Sequence, residues 1–215
     1  MKKGLTELVL ILDRSGSMGG LESDTIGGYN SMLEKQKKAE GQVLVTTVLF
    51  DDEREVLYDR IPLEQLPKMT EKEYYVRGCT ALLDAVGSTI RYIAGVHAHA
   101  KEEDRPEKTI FVITTDGLEN ASREYTYAGV KRLVEQRKEK EGWEFLFLGA
   151  NMDAIETAGR FGISADRAAD YHSDHAGTAL NYEVLADAVC EMRSCAVPID
   201  ASWKKRIEED YKKRS

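Results

Sequence analysis

The stretch Leu8-Val9-Leu10-Ile11-Leu12-Asp13-Arg14-Ser15-Gly16-Ser17-Met18-Gly19-Gly20 decides how the rest of the chain is read. The apolar run 8–12 is short and ends in Gly and Ser, the pattern of a buried strand that stops there. At its end stand one carboxylate and two hydroxyls at alternate positions. In extended backbone, residues at i, i+2 and i+4 point the same way, so Asp13, Ser15 and Ser17 are expected to present three oxygens to one point. Gly16, Gly19 and Gly20 let the backbone turn around that point. Hard oxygen donors without His or Cys suit Mg²⁺ or Mn²⁺ rather than zinc.

Bulk properties narrow the field. A chain of 215 residues fits one ordinary domain. Its net charge of −8, with no long basic run, argues against nucleic acid as a main partner. The apolar run after Met1-Lys2-Lys3 is shorter than the ~7–15 residues of a signal core. Nothing approaches the ~18 apolar residues of a membrane span. Three cysteines, Cys79, Cys190 and Cys195, are too few and of the wrong parity for a disulfide framework. The expectation is a soluble cytoplasmic protein.

Along the chain, strand patterns at residues 7–12, 43–50, 55–61, 109–115 and 143–148 alternate with helical patterns at 21–33, 78–94, 123–140, 152–161 and 182–193. The runs 43–50 and 55–61 are joined so closely that they form an antiparallel hairpin, and the more polar second strand is an edge. Residues 62–77 read as a linking segment. A last weak strand falls within 168–175. Residues 1–200 make one domain, and 201–215 a charged C-terminal tail, a solvated helical face or frayed end. This alternation predicts an α/β, doubly wound, Rossmann-like sheet, mostly parallel, in the order 3-2-1-4-5-6 with one antiparallel edge strand and helices on both faces. In that order the first and fourth strands are neighbours where the winding reverses, and ligands bind at such a crevice. Asp13 and Asp116 end those two strands, and Thr80 comes from a loop at the same end.

The set Asp13-x-Ser15-x-Ser17, Gly78-Cys79-Thr80 and Thr115-Asp116-Gly117 resembles the von Willebrand factor A domain with its metal-ion-dependent adhesion site, over roughly residues 5–195. The resemblance implies that Ser15 and Ser17 ligate the metal through their hydroxyls. Asp13 and Asp116 would act directly or through water, and Thr80 directly when a ligand is engaged. It also implies a divalent-metal-dependent protein–protein interaction module. Its Mg²⁺ or Mn²⁺ would be completed by an Asp or Glu of another protein, with no role for nucleic acid or membrane. The short bacterial stand-alone members, some found near tellurite-resistance genes, are the most similar. The partner, the pathway and the oligomeric state are not given by the resemblance.

Plainer readings stand beside these. Residues 13–20 also suit a strand-to-helix loop with capping serines, and Thr80 a helix cap. Asp84 either backs the ion or, the better reading, stabilises a helix N-terminus. Gly117, Glu119 and Asn120 follow the strand end and either line a recognition surface or are simply turn residues. His172 and His175 resemble half a zinc site but lack further ligands, so a solvated loop is the better reading. Cys79 reads as a small buried thiol. The enzymatic alternative is a Mg²⁺-dependent phosphatase-like hydrolase built on Asp13, but a hydroxyl stands at Ser15 where such enzymes keep a second carboxylate. Neither a phosphate loop nor a nucleophile elbow is present. A third alternative is a structural subunit with a metal-free site.

Overall fold

The computed structural model describes residues 1–195 and 197–214. Strand β1 (Lys2–Asp13) is followed by α1 (Glu22–Lys37), β2 (Gln42–Phe50), β3 (Arg54–Pro62), α2 (Leu82–His99) and β4 (Pro106–Thr115). Then come α3 (Tyr127–Glu141), β5 (Glu144–Gly149), α4 (Ala154–Arg160), β6 (Ala168–Asp170), α5 (His175–Ser194) and α6 (Lys205–Arg214). Among the described residues one six-stranded sheet runs β3-β2-β1-β4-β5-β6, with β2–β3 antiparallel and the other pairs parallel. The doubly wound α/β order expected from the sequence is the order found.

The continuous apolar runs follow from burial on both faces of the sheet. Leu8, Leu10 and Leu12 of β1 point into a cluster with Tyr29 of α1 and Leu185 and Val189 of α5. Val9 and Ile11 point into the opposite cluster with Val86 and Ile90 of α2 and Val130 and Val134 of α3. β4 repeats the alternation, Ile110 and Val112 on the first side, Phe111 and Ile113 on the second.

Several boundaries differ from those the sequence suggested, each for a local reason. Helix α3 starts at Tyr127 rather than near residue 123, because the Asp84 carboxylate takes the backbone N–H groups of Arg123, Glu124 and Tyr125 and holds them out of a helix. Thr126 then caps α3, accepting from Gly129 N at 3.2 Å. Helix α5 starts at His175, with Asp174 as its cap, seven residues before the apolar pattern begins. The segment 62–77 is more than a link: Leu63, Leu66, Met69 and Tyr74 are buried in the core. Residues 201–215 were expected to be a charged tail. Among those described, Trp203 and Ile207 are buried in the α1/α5-side core, and the buried Lys204 Nζ donates to the carbonyls of Ala165 and Ala168 at 2.7 Å each. The charges of α6 hide an apolar edge that alternating signs do not reveal.

Candidate metal centre

β1 and β4 run parallel and in register, Leu12 beside Thr114, so their carboxyl ends place Asp13 next to Thr115 and Asp116. Asp13 is almost fully buried. Its Oδ1 accepts from Ser15 N at 2.7 Å, and its Oδ2 from the Thr115 hydroxyl at 2.6 Å and from Asp116 N at 3.4 Å. Tyr74 donates its O–H to the Asp13 carbonyl at 2.6 Å, so the segment 62–77 braces this strand end. Burial raises the Asp13 carboxyl above the usual carboxylate range, and these hydrogen bonds offset it only in part.

Beyond Asp13 the backbone does not continue extended. Gly16–Met18 form a 3₁₀ turn, so the alternation expected for residues 13, 15 and 17 stops at Ser15. The turn itself brings the hydroxyls together, Ser15 Oγ to Ser17 Oγ 3.1 Å. Ser15 is buried and Ser17 exposed at the mouth. Arg14 points the other way, with no exposed surface, into Asp51 at 2.7 Å and Glu55 at 2.6 Å. It anchors the loop from beneath.

The loop carrying Thr80 is stitched onto this turn. Arg77 N donates to Arg14 O at 2.9 Å, and Gly16 N to Gly78 O at 3.2 Å. Gly78 has φ +67°, and a Cβ there would lie 1.7 Å from Asp52 Oδ1, so only glycine lets the loop press this close. Thr80 is then fixed by Asn120: Asn120 Oδ1 accepts from Thr80 N at 2.9 Å, and Asn120 N donates to Thr80 O at 3.0 Å. Thr80 does not cap α2. Glu119 does so by accepting from Leu83 N at 2.8 Å, with Ser122 Oγ accepting from Asp84 N at 3.0 Å. The Thr80 hydroxyl makes no hydrogen bond to a described residue. Together with Ser17 it frames Gly117: a Cβ added there would lie 3.0 Å from Thr80 Oγ1 and 3.1 Å from Ser17 Oγ.

Asp116 completes the cluster from the other side and is nearly buried. Burial raises its carboxyl, and hydrogen bonds from Ser173 and Asn151 offset this in part. Asn151 Nδ2 donates to Oδ1 and Ser173 Oγ to Oδ2. The sequence reading missed both residues. Asn151 carries a weak signal, an Asn just past a strand end that adopts the left-handed φ of +54°. Ser173 carries none, standing between two more conspicuous histidines.

The structure thus brings Asp13, Ser15, Ser17, Thr80, Asp116 and Gly117 to one crevice. Asn120 backs Thr80, while Asp84 and Glu119 organise the 117–126 loop through backbone amides. His172 and His175 stand apart: His172 stacks on Tyr211, and His175 pairs with Asp24. Among the described residues no group of three or more His, Cys, Asp or Glu is arranged to hold a metal ion. Two carboxylates with three hydroxyls is a different donor set. It suits a hard divalent cation, because Asp13 and Asp116 are buried and make no salt bridge among the described residues.

Sequence comparison with family models and with curated proteins finds no match. Comparison of structures finds von Willebrand factor type A domains. The vWF domain of the type V pili tip protein Mfa5 from Porphyromonas gingivalis superposes with a TM-score of 0.62 at 11% identity, over 90% of this chain and 98% of that one. The pilus adhesin SpaC from Lactobacillus rhamnosus GG gives 0.63 at 12%, over 89% and 30%. Proximal thread matrix protein 1 from the mussel byssus, in a structure with a zinc-occupied metal-ion-dependent adhesion site, gives 0.58 at 12%, over 86% and 46%. The chain thus spans less than half the length of the mussel protein. The fold is that of a von Willebrand factor A domain.

Proposed function

We propose that this domain holds one divalent cation, Mg²⁺ or Mn²⁺, between Asp13, Ser15, Ser17, Thr80 and Asp116, and presents it to an Asp or Glu of another protein. The observation that carries this reading is that the Thr80 and Ser17 hydroxyls close over Gly117 beside two buried carboxylates that form no salt bridge among the described residues. A bound ion would supply an electrophilic centre whose charge two carboxylates balance and neutral hydroxyls do not quench further. The zinc-occupied site of the mussel protein supports a divalent ion in this fold, and the all-oxygen donor set here favours Mg²⁺ or Mn²⁺ over zinc. Neither nucleic acid nor a membrane enters this reading. Among the described residues no helix is long and apolar enough to cross a bilayer.

A phosphatase-like hydrolase needs a base near Asp13, and each of the four histidines is engaged elsewhere. His97 contacts Glu7, His99 bonds Gly95 O, His172 bonds Tyr211 O, and His175 pairs with Asp24. The cytoplasmic assignment remains part of the proposal, consistent with three free cysteines, two of them exposed, Cys79 included.

A ligand at a hundred times its Kd stabilises the native state by about 2.7 kcal/mol. For a chain of this length that is on the order of 5–10 °C in Tm. Saturating Mg²⁺ should produce such a rise in the intact chain, a smaller one in Thr80→Ala and none in Asp13→Ala. Affinity purification with Mg²⁺ and with chelator should then recover proteins lost both with chelator and with Asp13→Ala. An unchanged Tm in the intact chain would remove the metal site. Mg²⁺-dependent phosphate-ester turnover lost on Ser15→Ala would favour the hydrolase instead.

A further inference from the structure

Asp116 is tied to the C-terminal helix by a short relay. Ser173, which donates to Asp116 Oδ2, lies between β6 and α5. Both of its neighbours are held by α6. The His172 ring stacks on Tyr211 with centroids 4.6 Å apart and planes at 21°, and His172 Nε2 donates to the Tyr211 carbonyl at 3.1 Å. The Asp174 carboxylate accepts from Arg214 Nη1. Helix α6 starts at the far end of the sheet. There Trp203 Nε1 donates to Asp166 O at 2.8 Å and Lys204 Nζ to Ala165 O at 2.7 Å, just where β6 begins. From there α6 returns alongside β6 to the strand end that carries the crevice.

Capping of α5 does not account for these contacts. Asp174 caps that helix through Gly177 N at 2.7 Å, and this needs neither a ring stacked on His172 nor a hydroxyl aimed at Asp116. What the stack and the Arg214 pair do is fix Ser173 from both sides. With Asn151 on Oδ1, both oxygens of Asp116 are then oriented.

We propose that Ser173 is a positioning residue for Asp116 and that α6, through Tyr211 and Arg214, holds Ser173 in place, so that the C-terminal helix tunes the cation affinity of the crevice. This rests on the metal-site reading above. Groups that hydrogen-bond a ligating carboxylate typically change metal affinity about 10–100-fold when removed.

The test is calorimetric titration of the full chain and its variants with Mg²⁺ and Mn²⁺, with a metal-free thermal melt to show that each is folded. Ser173→Ala should weaken binding about tenfold or more, and Ser173→Thr, which keeps the hydroxyl, should restore it. Tyr211→Leu and Arg214→Gln should each weaken binding less than Ser173→Ala. Tyr211→Leu should add nothing in the Ser173→Ala background, because both act through one hydroxyl. Arg214→Gln serves if Tyr211→Leu fails to fold. The proposal is overturned if Ser173→Ala binds within about twofold of the intact chain, or if Tyr211→Leu weakens binding equally with and without Ser173. Absence of binding to the intact chain would overturn the metal site itself, and this inference with it.

Discussion

At Gly117 the Cα hydrogen faces two hydroxyls that leave no space for a methyl group. A Cβ 3.0 Å from Thr80 Oγ1 and 3.1 Å from Ser17 Oγ would push both hydroxyls away from their present positions. Gly117→Ala should therefore leave the fold intact and reduce the Mg²⁺-induced rise in Tm by more than half, as read by paired melts with metal and with chelator. The five oxygen-bearing residues were legible because their spacing puts each at a strand end or loop on one end of the sheet. The residues that orient them were not. Arg14 and Tyr74 look like an ordinary loop cation and an ordinary aromatic, yet they anchor the 14–18 turn and the Asp13 carbonyl. Asp84 reads as a helix-start acid or a group behind the ion, and Glu119 as a turn or recognition residue, whereas their work is to gather backbone amides. Such roles depend on which amide lies within reach, and residue type does not encode that.

Among the elements, α1 and α5 meet at Gly28, where a Cβ would lie 2.4 Å from the Tyr182 ring. Tyr182 is buried and cannot swing aside. Gly28→Ala should destabilise by about 1–3 kcal/mol through overpacking. Gly27, one position before, faces open space. Gly27→Ala should instead stabilise by up to about 1 kcal/mol from helix propensity alone. Urea unfolding of the two single variants gives the comparison, and equal shifts would mean that the helices do not meet as described. Both glycines look alike in sequence. The helices and strands were legible from period and run length, but α3 and α5 begin where side-chain caps from elsewhere in the fold allow. The 3₁₀ turn at Gly16–Met18 shows the same limit: residue spacing predicted convergence of Ser15 and Ser17, and the geometry that achieves it is not the extended one.

For the whole molecule, the two crevice carboxylates set a pH dependence. Burial raises both the Asp13 and the Asp116 carboxyl above the ordinary aspartate value. The folded state thus holds their protons more tightly than the unfolded state. Their contribution to metal-free stability is present below the unfolded value and lost as pH rises through the folded ones. A cation needs the ionised forms, so the stability it adds has the opposite sense. The Mg²⁺-dependent rise in Tm should be full near about pH 7.5 and shrink steadily toward about pH 4, measured against chelator at each pH. A rise independent of pH would place the cation away from these carboxylates. The C-terminal segment belongs to this scale as well. Its charges predicted a solvated tail, whereas Trp203, Lys204 and Ile207 close the edge of the core beside β6.

By itself the sequence determined the α/β alternation, the strand order and the oxygen-rich set at the carboxyl ends of β1 and β4. The alternation is written in local periodicity and apolar runs, the strand order follows from it by the doubly wound rule, and the oxygen-rich set is legible from its spacing at the strand ends. Only the tertiary structure decided that Asn151 and Ser173 orient Asp116, that Asn120 holds Thr80, and that α6 returns to the crevice. These are contacts between segments far apart in sequence, made by ordinary polar side chains. Their partners are set by how the sheet stacks its loops, and no local pattern carries that information.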